Sequence, residues 1–416
     1  MRTIEKVVII GNGAMGSGAA AIFASTGLQT VILARTYAKA EAGKARAEQL
    51  AKRSLPITCQ TFADLDAVVR DADFVLEAVA EDAETKRGVF AAIDRTHAQA
   101  IVASVTSGLS IAGMCEGRSP GFRARFLGVH LFNPPTHIVG CELIAHAETA
   151  ADTIAAVKDL LARTGREVVE CADTPGFAGN RIGFRVLNEV AQLAEEHGVA
   201  FMDSLLGAHT GRALAPLATI DLVGWDVHKA IVDHLHHHTG DRAFALPAYV
   251  QRGIDRGHLG RKTRDKGGFF RLDADKRQHV LDPITGSYLP RTDVAPACAL
   301  VDTMQAARGL DAMMDVLCTS EGREAEVLRR VLLGYISYGL GLVGEVVAEA
   351  RDVDRIMGFG FNWAPPSMLV DAIGAARTAK LLERTDLPVP GSVARAARTG
   401  EKLCAEDRAK FFKLAA

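Results

Sequence analysis

Residues 7–20 read VVIIGNGAMGSGAA. Four apolar β-formers run straight into a glycine-rich turn, and the residues behind the turn are small enough for a helix to lie closely on a sheet. Gly11, Gly13 and Gly16 spell G-x-G-x-x-G. Between a strand and a helix, the first glycine permits the tight turn, the second lets main chain approach a pyrophosphate, and the third packs helix on strand. The phosphates then face the positive helix N-terminus. The expected dinucleotide contacts on this turn are Gly11, Gly13, Ala14, Met15 and Gly16.

Outward from the turn, short β-rich runs alternate with helical stretches as far as about residue 173: TVIL (30–33), FVLEAV (74–79), AIVAS (100–104), FLGVH (126–130) and REVVEC (166–171). Alternation of this kind predicts βαβ units, a mostly parallel sheet and helices on both faces, a doubly wound α/β domain over residues 1–175. DTPGF (173–177) breaks the pattern. From Gly179 the texture is helical, with Ile182, Val186, Val190 and Leu193 at helical spacing ahead of Gly198. A helical domain is expected over 176–271, then a connector with little regular structure over 272–318, then a second helical domain over 319–416. APLATIDLVG (215–224) and PPSMLVDAIG (365–374) share the frame Pro-x4-Asp-x2-Gly, which reads as a duplicated helical unit.

The chain has 416 residues, a formal charge of −2, and 48% hydrophobic against 24% charged residues, enough to bury a sizeable core. Without a run of like charges it has no electrostatic footprint for nucleic acid or an anionic membrane. The opening MRTIEKVVII lacks the pattern of a signal peptide, and no apolar run reaches the roughly 20 residues that span a bilayer. Seven cysteines without CxxC spacing read as reduced thiols in a cytoplasmic protein, with neither a disulfide framework nor a zinc site.

An acid normally follows the second strand of an NAD fold and bonds the ribose 2′-hydroxyl. Here the strand ends Leu33-Ala34-Arg35-Thr36. Arg35 and Thr36 could hold a 2′-phosphate, or Arg35 could stack on adenine beside plain NAD, so the cofactor reads as NAD or NADP. His130, in FLGVHLFNPP, falls at the carboxyl end of a predicted parallel strand, where open α/β sheets bind ligands. Glu142, in CELI, could return alongside it, fix the imidazole tautomer and raise the basicity of the other nitrogen. A satisfied structural histidine is the alternative.

Taken in order, VVIIGNGAMGSGAA, LEAVAED with Lys86 behind it, ASVTSGLSI, HLFNPP, CELI, DTPGFAGNRI and LGRKTRDKGGFF resemble the L-3-hydroxyacyl-CoA dehydrogenases of fatty-acid β-oxidation. The repeat and the linker LDPITGSYLPR are similar to the longer members, which carry two C-terminal helical domains. The resemblance implies a Rossmann-like sheet followed by two all-α domains of the 6-phosphogluconate-dehydrogenase C-terminal type, without a fused enoyl-CoA hydratase. It also implies an enzyme that interconverts (S)-3-hydroxyacyl-CoA and 3-oxoacyl-CoA with NAD(P). His130 would be the general base and Glu142 its orienting partner. Ser107 would bond the substrate oxygen, Asn180 would polarise the reacting carbonyl, and Glu81 and Lys86 would meet the nicotinamide-ribose side of the cofactor. Implied partners are an acyl-CoA substrate and a separate enoyl-CoA hydratase or thiolase, for a monomer or homodimer. A gulonate-type hydroxy-acid dehydrogenase and a weakly catalytic subunit of a β-oxidation complex are the alternatives.

The chain departs from the family pattern at Val105-Thr106-Ser107-Gly108, where Asn-Thr-Ser-Ser is usual, at TGRALAP before Pro216, and at the missing acid after the second strand. The histidines of DHLHHHTGD read as a helix end rather than a metal site. The basic run RGHLGRKTRDKGGFF (256–270) reads as a structural turn, and Lys39, Lys44 and Arg46 as a solvated helix face.

Overall fold

The computed structural model describes residues 3–294 and 298–405, so residues 406–416 of the expected second helical domain and 295–297 of the expected connector lie outside the described residues. The chain divides into two compact units. Among the described residues, the first comprises those up to Phe177 and Glu345–Ala348; the second comprises those from Ala178 to Gly344 and from Glu349 to 405.

The first unit is built on eight strands: β1 (Lys6–Ile10), β2 (Gln29–Ala34), β3 (Ile57–Thr61), β4 (Phe74–Glu77), β5 (Ile101–Ser104), β6 (Phe126–Leu131), β7 (Gly140–Ile144) and β8 (Glu167–Cys171). Their order is β3-β2-β1-β4-β5-β6-β7-β8. The strands from β3 to β6 are parallel, β7 runs antiparallel to β6, and β8 is parallel to β7. Sheets covered on both faces need near-continuous apolar strands, and β1, β4 and β5 supply them. Helices α1 (Ala14–Ser25), α2 (Tyr37–Ala51), α3 (Leu65–Arg70), α4 (Ala83–Arg95), α5 (Ile111–Cys115), α6 (Pro120–Ala124) and α7 (Ala151–Arg163) connect them. Strand β3 is absent from the runs picked out by sequence. Its residues, Ile-Thr-Cys-Gln-Thr, alternate buried and exposed at the sheet edge instead of forming an apolar run. The unit also recruits a later segment, with the Ala172 N–H donating to the Val346 carbonyl at 2.8 Å.

The second unit holds α8 (Gly179–His197), α9 (Val199–Leu205), α10 (Pro216–Val223), α11 (Trp225–Thr239) and α12 (Ala248–Asp255), then a three-stranded antiparallel sheet of β9 (Phe270–Leu272), β10 (Gln278–Leu281) and β11 (Tyr288–Pro290). Next come α13 (Arg291–Val294), α14 (Ala299–Ala306), α15 (Leu310–Thr319), α16 (Arg323–Gly341), α17 (Ala350–Gly360), α18 (Pro366–Ile373), α19 (Ala375–Arg384) and α20 (Gly391–Thr399). The segment 272–318 is therefore not the irregular connector that its Asp and Pro content suggests. Its polar residues face out from short strands whose Val280 and Leu281 are buried, and Val301, Met304, Met314 and Leu317 bury one side of two helices. The two helical halves pack as one unit, and at Gly183 a Cβ would come within 2.1 Å of the Phe361 ring, so only glycine lets these helices meet.

The frame Pro-x4-Asp-x2-Gly has the same structural meaning in both halves. Pro216 and Pro366 each occupy the first turn of a short helix, and Gly224 and Gly374 end it at φ of 102° and 93°. Between them Asp221 accepts from the N–H groups of Phe269 and Phe270, both at 2.9 Å, and from the Trp225 indole at 2.7 Å. Asp371 likewise accepts from Leu403 N at 2.9 Å and Cys404 N at 3.1 Å. The glycine-rich run 256–270 wraps Asp221 so closely that a Cβ at Gly268 would lie 2.1 Å from its carboxylate. No helix among the described residues is long and apolar enough to cross a membrane.

Asp221 is 3% exposed, and burial pushes its carboxyl up to about 6 despite three donors. Replacing it with Ala strands those donors and should cost about 2–4 kcal/mol in urea unfolding, against about 1–2 kcal/mol for Asp371→Ala, where two are lost. Because the folded state holds a proton on Asp221 that the unfolded chain has already lost, its contribution to stability falls as pH rises from about 4 to about 6. The gap between wild type and Asp221→Ala should therefore narrow between pH 4 and pH 7.

Candidate active site

The glycine turn is shaped by two contacts within the protein and leaves one glycine open. Gly11 sits at φ 123°, and a Cβ there would be 2.4 Å from the Ala78 carbonyl oxygen; at Gly16 it would be 2.3 Å from the carbonyl oxygen of Gly11. The third glycine thus packs the helix on the turn itself. A Cβ at Gly13 would meet nothing within 4 Å, so the protein's own packing does not require that glycine. Gly13 precedes the first turn of α1, whose end has no side-chain cap. These are the features a diphosphate needs: bare main chain, unspent N–H groups and room.

The room is a cleft of about 640 Å³ along the carboxyl ends of β1, β2, β4 and β5. Gly11, Gly13, Ala14, Met15, Arg35, Glu81 and Ser107 line it, together with Asn12, Phe62, Val79 and Val105. Gly16 is buried behind it. Lys86 does not line it either, being 1% exposed and spending its ammonium on Glu77 at 2.9 and 3.0 Å and on Glu81 at 3.3 Å. The arrangement fits a dinucleotide, and Lys86 bears on it through Glu81.

Glu77, Lys86 and Glu81 form a relay that ties strand ends together. Glu77 is fully buried and also accepts from the Ser104 hydroxyl at 2.6 Å and Val79 N at 2.7 Å. Glu81 accepts from the Thr106 hydroxyl at 2.6 Å and from Ser107 N at 2.7 Å. The loop carrying Ser107 is thereby pinned to the end of β4. Its far side is pinned by Asp173, which accepts from Ile111 N and Ala112 N at 2.8 Å and from the Ser110 hydroxyl at 3.0 Å.

One strand beyond β5, His130 and Glu142 are directly opposed partners of the antiparallel β6–β7 pair. Nδ1 of His130 lies 2.5 Å from a Glu142 carboxylate oxygen, with His130 4% exposed and Glu142 fully buried. The Phe132 and Phe177 rings flank the imidazole at centroid distances of 4.9 and 5.8 Å. A carboxylate at Nδ1 fixes the proton there, so Nε2 presents its lone pair, and the same carboxylate stabilises the positive charge that follows when Nε2 takes a proton. The other Glu142 oxygen accepts the Cys171 thiol at 3.5 Å. The Pro135 ring, five residues past His130, packs on α1 where a Cβ at Gly18 would come within 2.4 Å. The strand that carries the histidine is thus seated on the helix that opens the dinucleotide turn.

Of the expected site residues, the structure gathers the turn, Arg35, Glu81 and Ser107 into one cleft and pairs His130 with Glu142. Asn180, 6% exposed, opens α8 in the second unit. Glu77, Thr106 and Asp173 were not anticipated, although a glutamate inside the apolar run FVLEAV, nine residues before a lysine, is a readable sign of a buried ion pair. Of the histidines of α11, His236 turns to the Asp241 carbonyl at 3.0 Å and His238 to that of His234 at 2.8 Å.

Comparison with known proteins identifies the family. Residues 6–174 match the family model for the NAD binding domain of 3-hydroxyacyl-CoA dehydrogenase, and residues 176–269 match the model for its C-terminal domain. The chain is 30% identical over 429 residues to a probable 3-hydroxyacyl-CoA dehydrogenase of Bacillus subtilis strain 168, covering 93% of this chain and 53% of that one. It therefore spans about half the length of that longer relative. It is also 30% identical over 291 residues to the human mitochondrial hydroxyacyl-coenzyme A dehydrogenase, covering 64% of this chain and 91% of the human one. The crystal structure of Escherichia coli K12 3-hydroxybutyryl-CoA dehydrogenase shares the fold with a TM-score of 0.73 at 21% identity, over 95% of this chain and 99% of the other. With both halves of the family pattern matched in order and the dinucleotide turn in place, the chain belongs to the 3-hydroxyacyl-CoA dehydrogenase family.

Proposed function

We propose that the protein is a dehydrogenase interconverting (S)-3-hydroxyacyl-CoA and 3-oxoacyl-CoA. The observation that carries the reading is the buried His130–Glu142 pair, one strand from a cleft fitted to a dinucleotide. In the oxidative direction Nε2 of His130 takes the proton of the C3 hydroxyl, while Glu142 holds the ring and balances the charge it gains. Positioned acid–base groups of this kind contribute about 10²–10⁴-fold to a rate. Bound at the turn, a nicotinamide supplies the acceptor for the hydrogen that leaves C3 with its electron pair. Ser107 donates a hydrogen bond to the C3 oxygen, Glu81 and Lys86 fix the wall on the nicotinamide-ribose side, and Phe132 and Phe177 keep water from the imidazole. An enoyl-CoA hydratase supplies the hydroxyacyl thioester and a thiolase consumes the oxo product, in the cytoplasm.

Purified protein given acetoacetyl-CoA should oxidise a reduced nicotinamide cofactor, followed by absorbance. His130→Ala should lower kcat by about 10³-fold and Glu142→Gln by about 10²-fold, with little change in cofactor affinity. Free CoA should inhibit competitively with the acyl-CoA. Oxidation of neither cofactor, or a rate unchanged in His130→Ala, would overturn the proposal, and turnover of a free hydroxy acid without inhibition by CoA would move it to the gulonate type.

A further inference from the structure

We infer that the dinucleotide taken up by this cleft carries a 2′-phosphate on its adenosine ribose, and that Arg35 selects it with the help of Thr36 and Lys39. The inference rests on the reading of the cleft as a dinucleotide site and adds which dinucleotide enters it.

Arg35 is the first residue after β2, exposed, and part of the same cleft wall as Gly11 and Gly13. No described group is bonded to its guanidinium. At the end of β2, where a carboxylate would accept from a ribose hydroxyl, stands Ala34, which has nothing to offer. An arginine only donates, so an unmodified ribose loses its acceptor here, whereas a phosphomonoester gains a bidentate partner.

Nearby acids are occupied or distant. Glu81 is the one carboxylate of the cleft lining, and it lies at the end of β4, separated from β2 by β1 and held by Thr106, Ser107 and Lys86. Glu41 lies beyond the first turn of α2, and Asp64 caps Thr61. Helix α2, 15 residues long, has no acidic residue in its first turn, and Lys39 stands there, exposed. The Thr36 oxygen caps this helix by accepting from Lys39 N at 3.3 Å, which leaves the hydroxyl proton to donate. Arg46 is not available, since it bonds the Asn12 carbonyl at 3.1 Å. Two cations, a hydroxyl and a helix start without an acid in its first turn therefore follow directly on the end of β2, the strand end that meets the ribose in this fold.

The test is binding, independent of turnover: calorimetric titration of the full chain with NADPH and NADH, and with ADP-ribose and its 2′-phosphate, which lack nicotinamide. NADPH should bind about 10-fold or more tightly than NADH, and the two shorter ligands should show the same ratio. Arg35→Ala and Arg35→Gln should weaken NADPH by about 10- to 100-fold and NADH by less than about 3-fold, and Lys39→Ala should weaken NADPH by about 3-fold. Added salt should shrink the preference. Equal or tighter binding of NADH, or an equal loss for both cofactors in Arg35→Ala, overturns the inference. Failure to bind either overturns it together with the reading of the cleft. A clear NADPH preference in a protein that turns over no 3-oxoacyl-CoA supports it while overturning the proposed activity.

Discussion

The His130–Glu142 pair depends on a strand register. His130 and Glu142 meet because β7 turns back along β6 with these two residues directly opposed, so that their side chains leave the same face of the sheet. Side chains alternate with a period of two, and a slip of one residue would send one of the pair to the opposite face. The register is held from both flanks. Leu143 pairs with Val129 and Cys141 with Leu131, all of them buried, and β8 clamps β7 from the other side. The apolar core thereby fixes the imidazole tautomer.

A second constraint works one strand away. Glu77 is a charge inside a strand and would be costly without compensation, since removing a charge from water costs several kcal/mol. Lys86 of α4, Ser104 of β5 and the N–H of Val79 just past β4 satisfy it. The same lysine engages Glu81, and Glu81 engages the Ser107 loop. Burying one glutamate thus sets the placement of a loop three residues past the end of β5, which apolar packing alone would leave loose. Val105 and Gly108, the departures in this loop, leave that arrangement intact because the bonds to Glu81 come from Thr106 and from the Ser107 main chain.

How far the sequence discloses this varies with the range of the interaction. The turn at Gly11–Gly16, the apolar strands and the helix behind Gly179 follow from local pattern. Strand β3 does not, because an edge strand with one wet face lacks an apolar run. The segment 272–318 hides its sheet for a related reason: strands of three or four residues are too short to show a period. In the site, a glutamate in the apolar run CELI twelve residues after His130 suggests a strand returning alongside it, and the resemblance adds a role for the pair. Asp173 reads in sequence as part of the DTPGF interruption of the alternating pattern, whereas its carboxylate caps α5 from far along the sequence. Asp221 and Asp371 were legible as a repeat but not as acceptors, since their donors lie in segments that share no letters.

The small loan of residues 345–348 to the first unit has a consequence for how the chain is made. The sheet that binds dinucleotide is contiguous in sequence except for this piece, which emerges from the ribosome only after α8 to α16 have followed the sheet out. Vectorial synthesis can therefore assemble the Rossmann half early, but the end of β8 waits for its last hydrogen-bond partner until the helical half is mostly made. Completion of the cofactor-binding unit is in this sense a report that α8 to α16 of the helical unit have been synthesised.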